Sequence, residues 1–263
     1  MSAALAHAYA PPPDDDPNPR LGGMSFQEHH EELRKRLILA CTAIAAGVLV
    51  AFFFIDRIVA FVFAPMRKAL PPGTTLIYTG PGEAFSLYIN IALIAGVALA
   101  SPFIMFQVWR FIAPALYTNE KKLAIPFVLL SSAGIVGGWL FSHYLLFPAT
   151  IRFFGLFNSP DLQFMPRVQD AFDLYTRMLL GMVLVFQMPT VIFFLARMRM
   201  VTARFLARNI KYAILIIFIV AAVLTPDGSP WNQTLFAAPM IGLYLLGIVI
   251  AWAVAPRGDV GSE

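Results

Sequence analysis

Long stretches without a charged side chain constrain this chain most. Residues 37–55, 84–109, 123–151 and 178–196 each run 19 or more positions without Asp, Glu, Lys or Arg. After the first stretch, Asp56 and Arg57 are followed by more apolar residues to Phe63. A helix crosses the hydrocarbon core of a bilayer in about 20 apolar residues. Lipid leaves no partner for open backbone groups, so only helices or closed barrels cross it, and a barrel does not need runs this long. Two further charge-free runs, 212–226 and 229–256, flank "TPDGSPWNQ", whose Pro, Gly and Asp force a turn. The predicted fold is an all-α polytopic membrane protein with six transmembrane helices. The composition agrees: 13% of residues are charged, against roughly a quarter in soluble domains.

The fifth run is short. Its 15 residues reach roughly 22 Å as a helix, against a hydrocarbon core of roughly 30 Å. The sixth carries Pro239 close to the start of its apolar part. Both of the last two helices are therefore expected to be short, with a locally thinned bilayer beside them, the alternative being helices that extend past these charge-based limits. Pro102, Pro126, Pro148, Pro189 and Pro239 fall within or at the ends of spans. Each removes a backbone hydrogen bond and tends to kink its helix, which predicts a bent, concave assembly.

Six spans place the N-terminus, the loops after spans two and four, and the C-terminus on one side. That side holds 13 of the 19 Lys and Arg residues, so both termini are expected in the cytoplasm. Residues 1–23 contain "APPPDDDPNPR" and lack the basic-then-apolar order of a cleavable signal peptide. They are expected to be a disordered cytoplasmic extension. Residues 24–255 form the predicted membrane domain and 256–263 a cytoplasmic tail. Outer loops are expected at 65–83 and 158–169.

Sequence signs of covalent chemistry are weak. Cys41 is the single cysteine, so no intramolecular disulfide forms. There is no Gly-x-x-x-x-Gly-Lys phosphate loop, and the adjacent histidines of "HHEE" do not make a zinc-protease motif. His143 stands alone in the third span and reads as a hydrogen-bonded or interfacial residue. Ser131 and Ser132 read as small packing residues. No ionisable side chain lies mid-span, where ion-coupled transporters place theirs. These points disfavour an intramembrane enzyme and an ion-coupled small-solute transporter, and no catalytic residue, metal or cofactor is expected.

Four polar features remain. In "SFQEHHEELRKRL", Ser25 and Glu28 fit a capping box that starts a helix. On that helix Glu28, Glu32 and Arg36 share a face, and Glu31 with Lys35 and Glu32 with Arg36 are favourable i,i+4 pairs. In "FIAPALYTNEKK", Thr118 or Asn119 can cap the third span, with Glu120 suiting the helix dipole. In "LTPDGSPWNQT", Thr225, Asp227 and Gln233 sit at the ends of the last two spans, where Asp227 suits a turn. Gln187, inside span four in "FQMP", reads as an interhelical hydrogen-bonding group or, with Pro189, as a kink device.

Together, "HHEELRKRL", "QVWRFIAPALYTNEKK" and "LTPDGSPWNQTLFAAPM", in that order on a six-span frame, resemble TatC, the receptor subunit of the twin-arginine protein translocase. The resemblance covers residues 24–254 and leaves out the Pro-rich leader. It implies a receptor in the bacterial cytoplasmic membrane that binds Arg-Arg signal peptides of folded cargo. It also implies recruitment of single-span TatA/TatB-type partners, self-association in the complex, and transport driven by the proton-motive force. By motif position, Glu32 and Glu120 are implied as the carboxylates for the arginine pair and Phe111 as part of the peptide groove. Carboxylates accept Arg bidentately, whereas Lys offers a point charge. Glu31 is expected to be structural. Thr225, Asp227 and Gln233 are implied as a polar spot for a partner helix. Gln187 stands where many relatives carry glutamate, so it can hydrogen-bond but cannot titrate.

Overall fold

The computed structural model describes residues 26–254, apart from 72–73, 113–123, 160, 162 and 226–227. Glu120, Asp227, the leader 1–23 and the tail 256–263 lie outside the described residues. Ten α-helices are present among those described.

Helix α1 (Phe26–Phe53) has 28 residues and so reaches about 42 Å. That exceeds the roughly 30 Å hydrocarbon core by some two turns, so the charged start of α1 can stand in water while its apolar remainder spans. The chain breaks at Phe54, and α2 (Ile55–Ala69) follows as a separate amphipathic helix. It buries Val62, Phe63, Pro65, Met66 and Ala69 and leaves Arg67 and Lys68 exposed. This corrects one expectation: the loop expected from residue 65 begins at Leu70 instead. The apolar residues after Asp56 belong to this separate helix. One apolar stripe with a charged edge suits packing along the frame, not a crossing.

Helix α3 (Glu83–Ile112) runs unbroken through Pro102. The proline has no N–H for the Ala98 carbonyl, and the Ser101 hydroxyl donates to that oxygen instead at 2.7 Å. Helix α4 (Ala124–Phe141) continues through a π-helical turn, Ser142–Leu146, into α5 (Phe147–Gly155). Pro148 stands just after that turn, where its missing N–H favours a local change of hydrogen-bond register. Helices α6 (Val168–Val185) and α7 (Met188–Arg197) form one span interrupted at Phe186 and Gln187, with Pro189 in the first turn of α7. The span therefore starts ten residues before the charge-based limit at 178, because Asp170, Asp173 and Arg177 lie in its opening turns.

A short α8 (Ala203–Arg208) is capped by Thr202, whose hydroxyl accepts from the Phe205 N–H. Helix α9 (Ile210–Leu224) has 15 residues, as the sequence predicts. Helix α10 (Pro230–Val254) does not match prediction: its 25 residues are long enough to cross fully. Pro230 opens this helix, so Trp231, Asn232 and Gln233 are helical, and Pro239 does not end it. Among the described residues, five helical spans are thus long and apolar enough to cross a membrane, and α9 is a shorter apolar helix.

Close backbone approach holds the spans together. A Cβ on Gly47 of α1 would lie 2.5 Å from the Gly96 carbonyl oxygen of α3. A Cβ on Gly138 of α4 would lie 2.8 Å from the Met182 carbonyl oxygen of α6. Small residues at such crossings let helices gain dispersion contact where lipid gives no hydrophobic push. The core includes Leu146, Phe147, Phe172, Tyr175, Met178 and Phe236. Large apolar side chains such as Leu49, Leu184 and Val223 face outward. Between the loops that follow α2 and α5, Ile77 pairs with the 166–168 backbone, and the Arg167 guanidinium pairs with Glu83.

Candidate functional site

The charged start of α1 meets the end of α3. One helical turn separates Glu32 from Arg36, and the Arg36 guanidinium donates to the Glu32 carboxylate at 2.6 Å. Its other terminal nitrogen donates to the Gln107 side-chain oxygen at 3.2 Å. Gln107 is buried on α3, so Arg36 ties the two helices together while holding the carboxylate. Both members of the ion pair are largely shielded, with side chains 14% and 18% exposed for Arg36 and Glu32.

Beside this pair lies a cleft of about 420 Å³ lined by Glu31, Glu32, Lys35, Arg36, Leu39 and Arg110. Two carboxylates face three cations there. Phe111 is four residues beyond Gln107, hence one turn further along the same face of α3. It is half-buried. The structure thus brings Glu32 and Phe111 to one helix junction and adds Glu31 to the cleft; Glu120 lies outside the described residues.

A second polar place lies at the opposite end, where α9 meets α10. The Gln233 amide donates to the Phe218 carbonyl of α9 at 3.0 Å. The Thr225 hydroxyl donates to the Ala221 carbonyl at 2.7 Å and is buried. The Thr225 O–H and one Gln233 N–H are thus satisfied within the protein, while the second Gln233 N–H and both side-chain oxygens keep hydrogen-bonding capacity. Asp227 lies outside the described residues.

Gln187 sits at the break between α6 and α7, and its amide donates to the Ser131 carbonyl of α4 at 3.1 Å. A Cβ on Gly134 would meet the Phe186 carbonyl oxygen at 2.7 Å and the Gln187 amide nitrogen at 3.2 Å. The glycine leaves room for the break and for the amide to reach α4. Both sequence readings of Gln187, interhelical bond and kink device, describe this one arrangement. His143 is buried and its Nδ1 lies 3.0 Å from the Tyr175 hydroxyl, so it is hydrogen-bonded as expected.

The model of the family "Sec-independent protein translocase protein (TatC)" matches residues 28–239. The chain is 41% identical over 240 residues to the TatC protein of Koribacter versatilis, covering 90% of this chain and 88% of the relative. It is 37% identical over 238 residues to that of Desulforapulum autotrophicum, covering 90% and 88%.

The chain belongs to the TatC family.

The fold agrees. A crystal structure of a twin-arginine translocase receptor TatC superposes with a TM-score of 0.73 at 33% identity, covering 86% of this chain and 99% of that one. A second, of the receptor TatC in DDM, gives 0.74 at 33% identity, covering 85% and 99%. As a TatC protein, the chain is a multi-pass membrane protein of the Sec-independent protein translocase. Two features of the site escape a sequence reading. Gln107 is buried within "FQVWRF", and only its position one turn before Phe111 hints that it shares that face. Arg36 reads as the partner of Glu32, but nothing local shows that it also reaches another helix.

Proposed function

We propose that this TatC protein is the cargo receptor of a twin-arginine translocase in the bacterial cytoplasmic membrane. In this reading it crosses the bilayer six times, α9 included, with both termini in the cytoplasm. Arg-Arg signal peptides of folded cargo bind at the α1–α3 cleft. Glu32 and Glu120 accept the two guanidinium groups and Phe111 packs against the peptide. Single-span TatA/TatB-type partners dock at the Thr225–Asp227–Gln233 corner, and the proton-motive force drives transport.

The observation that carries this reading is the guanidinium already seated on Glu32. The carboxylate is presented in a geometry that accepts an arginine at 2.6 Å, beside an open cleft of about 420 Å³. Charge arithmetic supports a role for the loop glutamate. Glu31 and Glu32 against Lys35, Arg36 and Arg110 leave the cleft without surplus negative charge. An arginine pair gains from that environment when a further carboxylate joins, and Glu120, eight residues beyond the end of α3, is the one the loop offers. Cytoplasmic placement of this end follows from its excess of Lys and Arg.

At the other corner, one Gln233 N–H and the Gln233 and Thr225 side-chain oxygens remain, so a partner helix could present either a donor or an acceptor. An unpaired polar group in lipid is costly, which favours such a match. Gln187 donates to a carbonyl, a task that an ionised carboxylate cannot perform. A mechanism that needs proton transfer at this position does not suit this chain. Transport of twin-arginine cargo by the Glu32→Gln, Glu120→Gln double variant tests the assignment. The reading expects transport to stop, and undiminished transport would refute the site.

A further inference from the structure

A second pocket, of about 250 Å³, opens between α2 and the π turn with α5, at the far end of the frame from Glu32. Lys68 reaches it from the last turn of α2, and Arg152 from the last turn of α5. Neither cation has a carboxylate or hydrogen-bond partner among the described residues. The floor is rigid. His143 stacks on Phe61 with ring centres 4.2 Å apart and planes within 5°. Its Nδ1 is fixed by the Tyr175 hydroxyl at 3.0 Å. The π turn holds His143 inside, 1% exposed, and turns Tyr144 outward, 57% exposed, at the pocket wall.

Two basic residues at helix ends have an ordinary explanation, because each complements a helix dipole and anchors its helix at the membrane surface. That explanation does not require them to converge. Here they line one concavity whose remaining walls are aromatic and apolar, at a wall where the helix changes hydrogen-bond register. Lys68 precedes the loop that starts at Leu70, and Arg152 precedes the loop that follows α5. The pocket therefore opens where the apolar spans give way to outer loops, at the depth of lipid phosphates. Its volume falls just below the roughly 300–1,000 Å³ of drug-sized sites, which suits a headgroup.

We propose that this pocket binds the headgroup of an anionic phospholipid in the leaflet opposite the Glu32 cleft. Lys68 and Arg152 hold the phosphodiester, and the Phe61–His143 stack forms the floor. The acyl chains run down the exposed apolar surface beside Tyr144. Two cations with no local counter-charge favour a lipid of net negative charge, since the ammonium group of a zwitterionic lipid would be repelled. Basic pockets between membrane helices take phospholipid headgroups by this chemistry. A bound lipid would brace α2 against α5. The inference needs only the membrane setting of the chain and not the cargo-binding reading.

The test uses the purified full chain in mixed phosphatidylglycerol and phosphatidylcholine nanodiscs, with lipids retained after release counted by native mass spectrometry. The native chain is expected to retain phosphatidylglycerol about tenfold over phosphatidylcholine. The Lys68→Gln, Arg152→Gln double variant is expected to lose that preference. Both cations are exposed, so folding is not at stake. Ala64→Trp, which fills the pocket and keeps both charges, is expected to lose it as well. Arg57→Gln, which removes a cation from the same helix outside the pocket, should leave the preference intact. The proposal is overturned if the double variant keeps the preference, or if Arg57→Gln lowers it equally, which would mean diffuse attraction. It is also overturned if soluble glycerol 3-phosphate at millimolar concentration displaces the lipid, since the site would then be one for a free anion.

Discussion

The Glu32 cleft and the Thr225–Gln233 corner are both polar places on an apolar frame, but they are built from opposite chemistry. At the cleft, a carboxylate and a guanidinium pair at 2.6 Å next to a space lined by charges. At the corner, two neutral side chains donate to backbone carbonyls of α9 at 3.0 and 2.7 Å. A resident ion pair can exchange one guanidinium for another at little net cost, because the carboxylate stays paired throughout. A neutral site in lipid has no such currency. It can only offer the N–H and oxygen atoms that its internal hydrogen bonds leave over. On the proposed reading, the Glu32 end discriminates by charge and fork geometry, and the Thr225–Gln233 end by the need to satisfy a buried polar group.

The most severe challenge to this contrast is loss of both carboxylates. Charge-assisted hydrogen bonds contribute about 1.5–3 kcal/mol each. Glu32→Gln with Glu120→Gln should therefore weaken binding of an Arg-Arg peptide by at least about a hundredfold, read by fluorescence anisotropy. Crosslinking of a partner helix to the corner should stay unchanged. Next comes the reverse experiment. Interhelical hydrogen bonds in membranes contribute about 0.6–2 kcal/mol, so Gln233→Leu should reduce partner crosslinks several-fold and spare peptide binding. If either variant injures both functions alike, the two places do not divide the work.

Salt sharpens the comparison without mutation. At 1 M the Debye length is about 3 Å, against about 10 Å at 0.1 M. Peptide affinity should fall several-fold across that range, and partner crosslinks at the corner should barely move. The smallest expected effect lies between the two ends. Gln187→Leu removes the bond to the Ser131 carbonyl and should lower thermal stability by about 0.6 kcal/mol. Signal-peptide binding should be unaffected, as monitored beside a melting curve in the same detergent. Gln187→Glu should cost more at neutral pH, because an ionised carboxylate would face that carbonyl.

Much of the frame was legible because its main signal is long-range and one-dimensional. Absence of charge marked the spans, and Gly-Pro-Asp clusters marked the turn after α9. The failures have physical causes. Charge marks where a helix leaves lipid, not where it ends, so α6 begins well before Met178; α10 is longer than expected because Pro239 lies within it rather than limiting it. Pro102 and Pro239 did not break their helices, since lipid makes open backbone groups so costly that a hydroxyl or a neighbour re-satisfies them. At the candidate site, the i,i+4 tie of Glu32 to Arg36 was readable from periodicity, while the roles of Glu32 and Phe111 rest on motif position alone. Gln107 was not readable, because its partner lies 71 positions away on another helix.

The central claim is that Glu32 is presented to receive an arginine from cargo. Its most direct test is equilibrium binding of labelled Arg-Arg and Lys-Lys signal peptides to the purified chain in nanodiscs, for the native protein and for Glu32→Gln. The account predicts that the native chain binds the Arg-Arg peptide at least about tenfold more tightly, because Lys cannot form the bidentate pair. It also predicts that Glu32→Gln removes most of that preference. Equal binding of both peptides by the native chain, or an undiminished preference in Glu32→Gln, would contradict it.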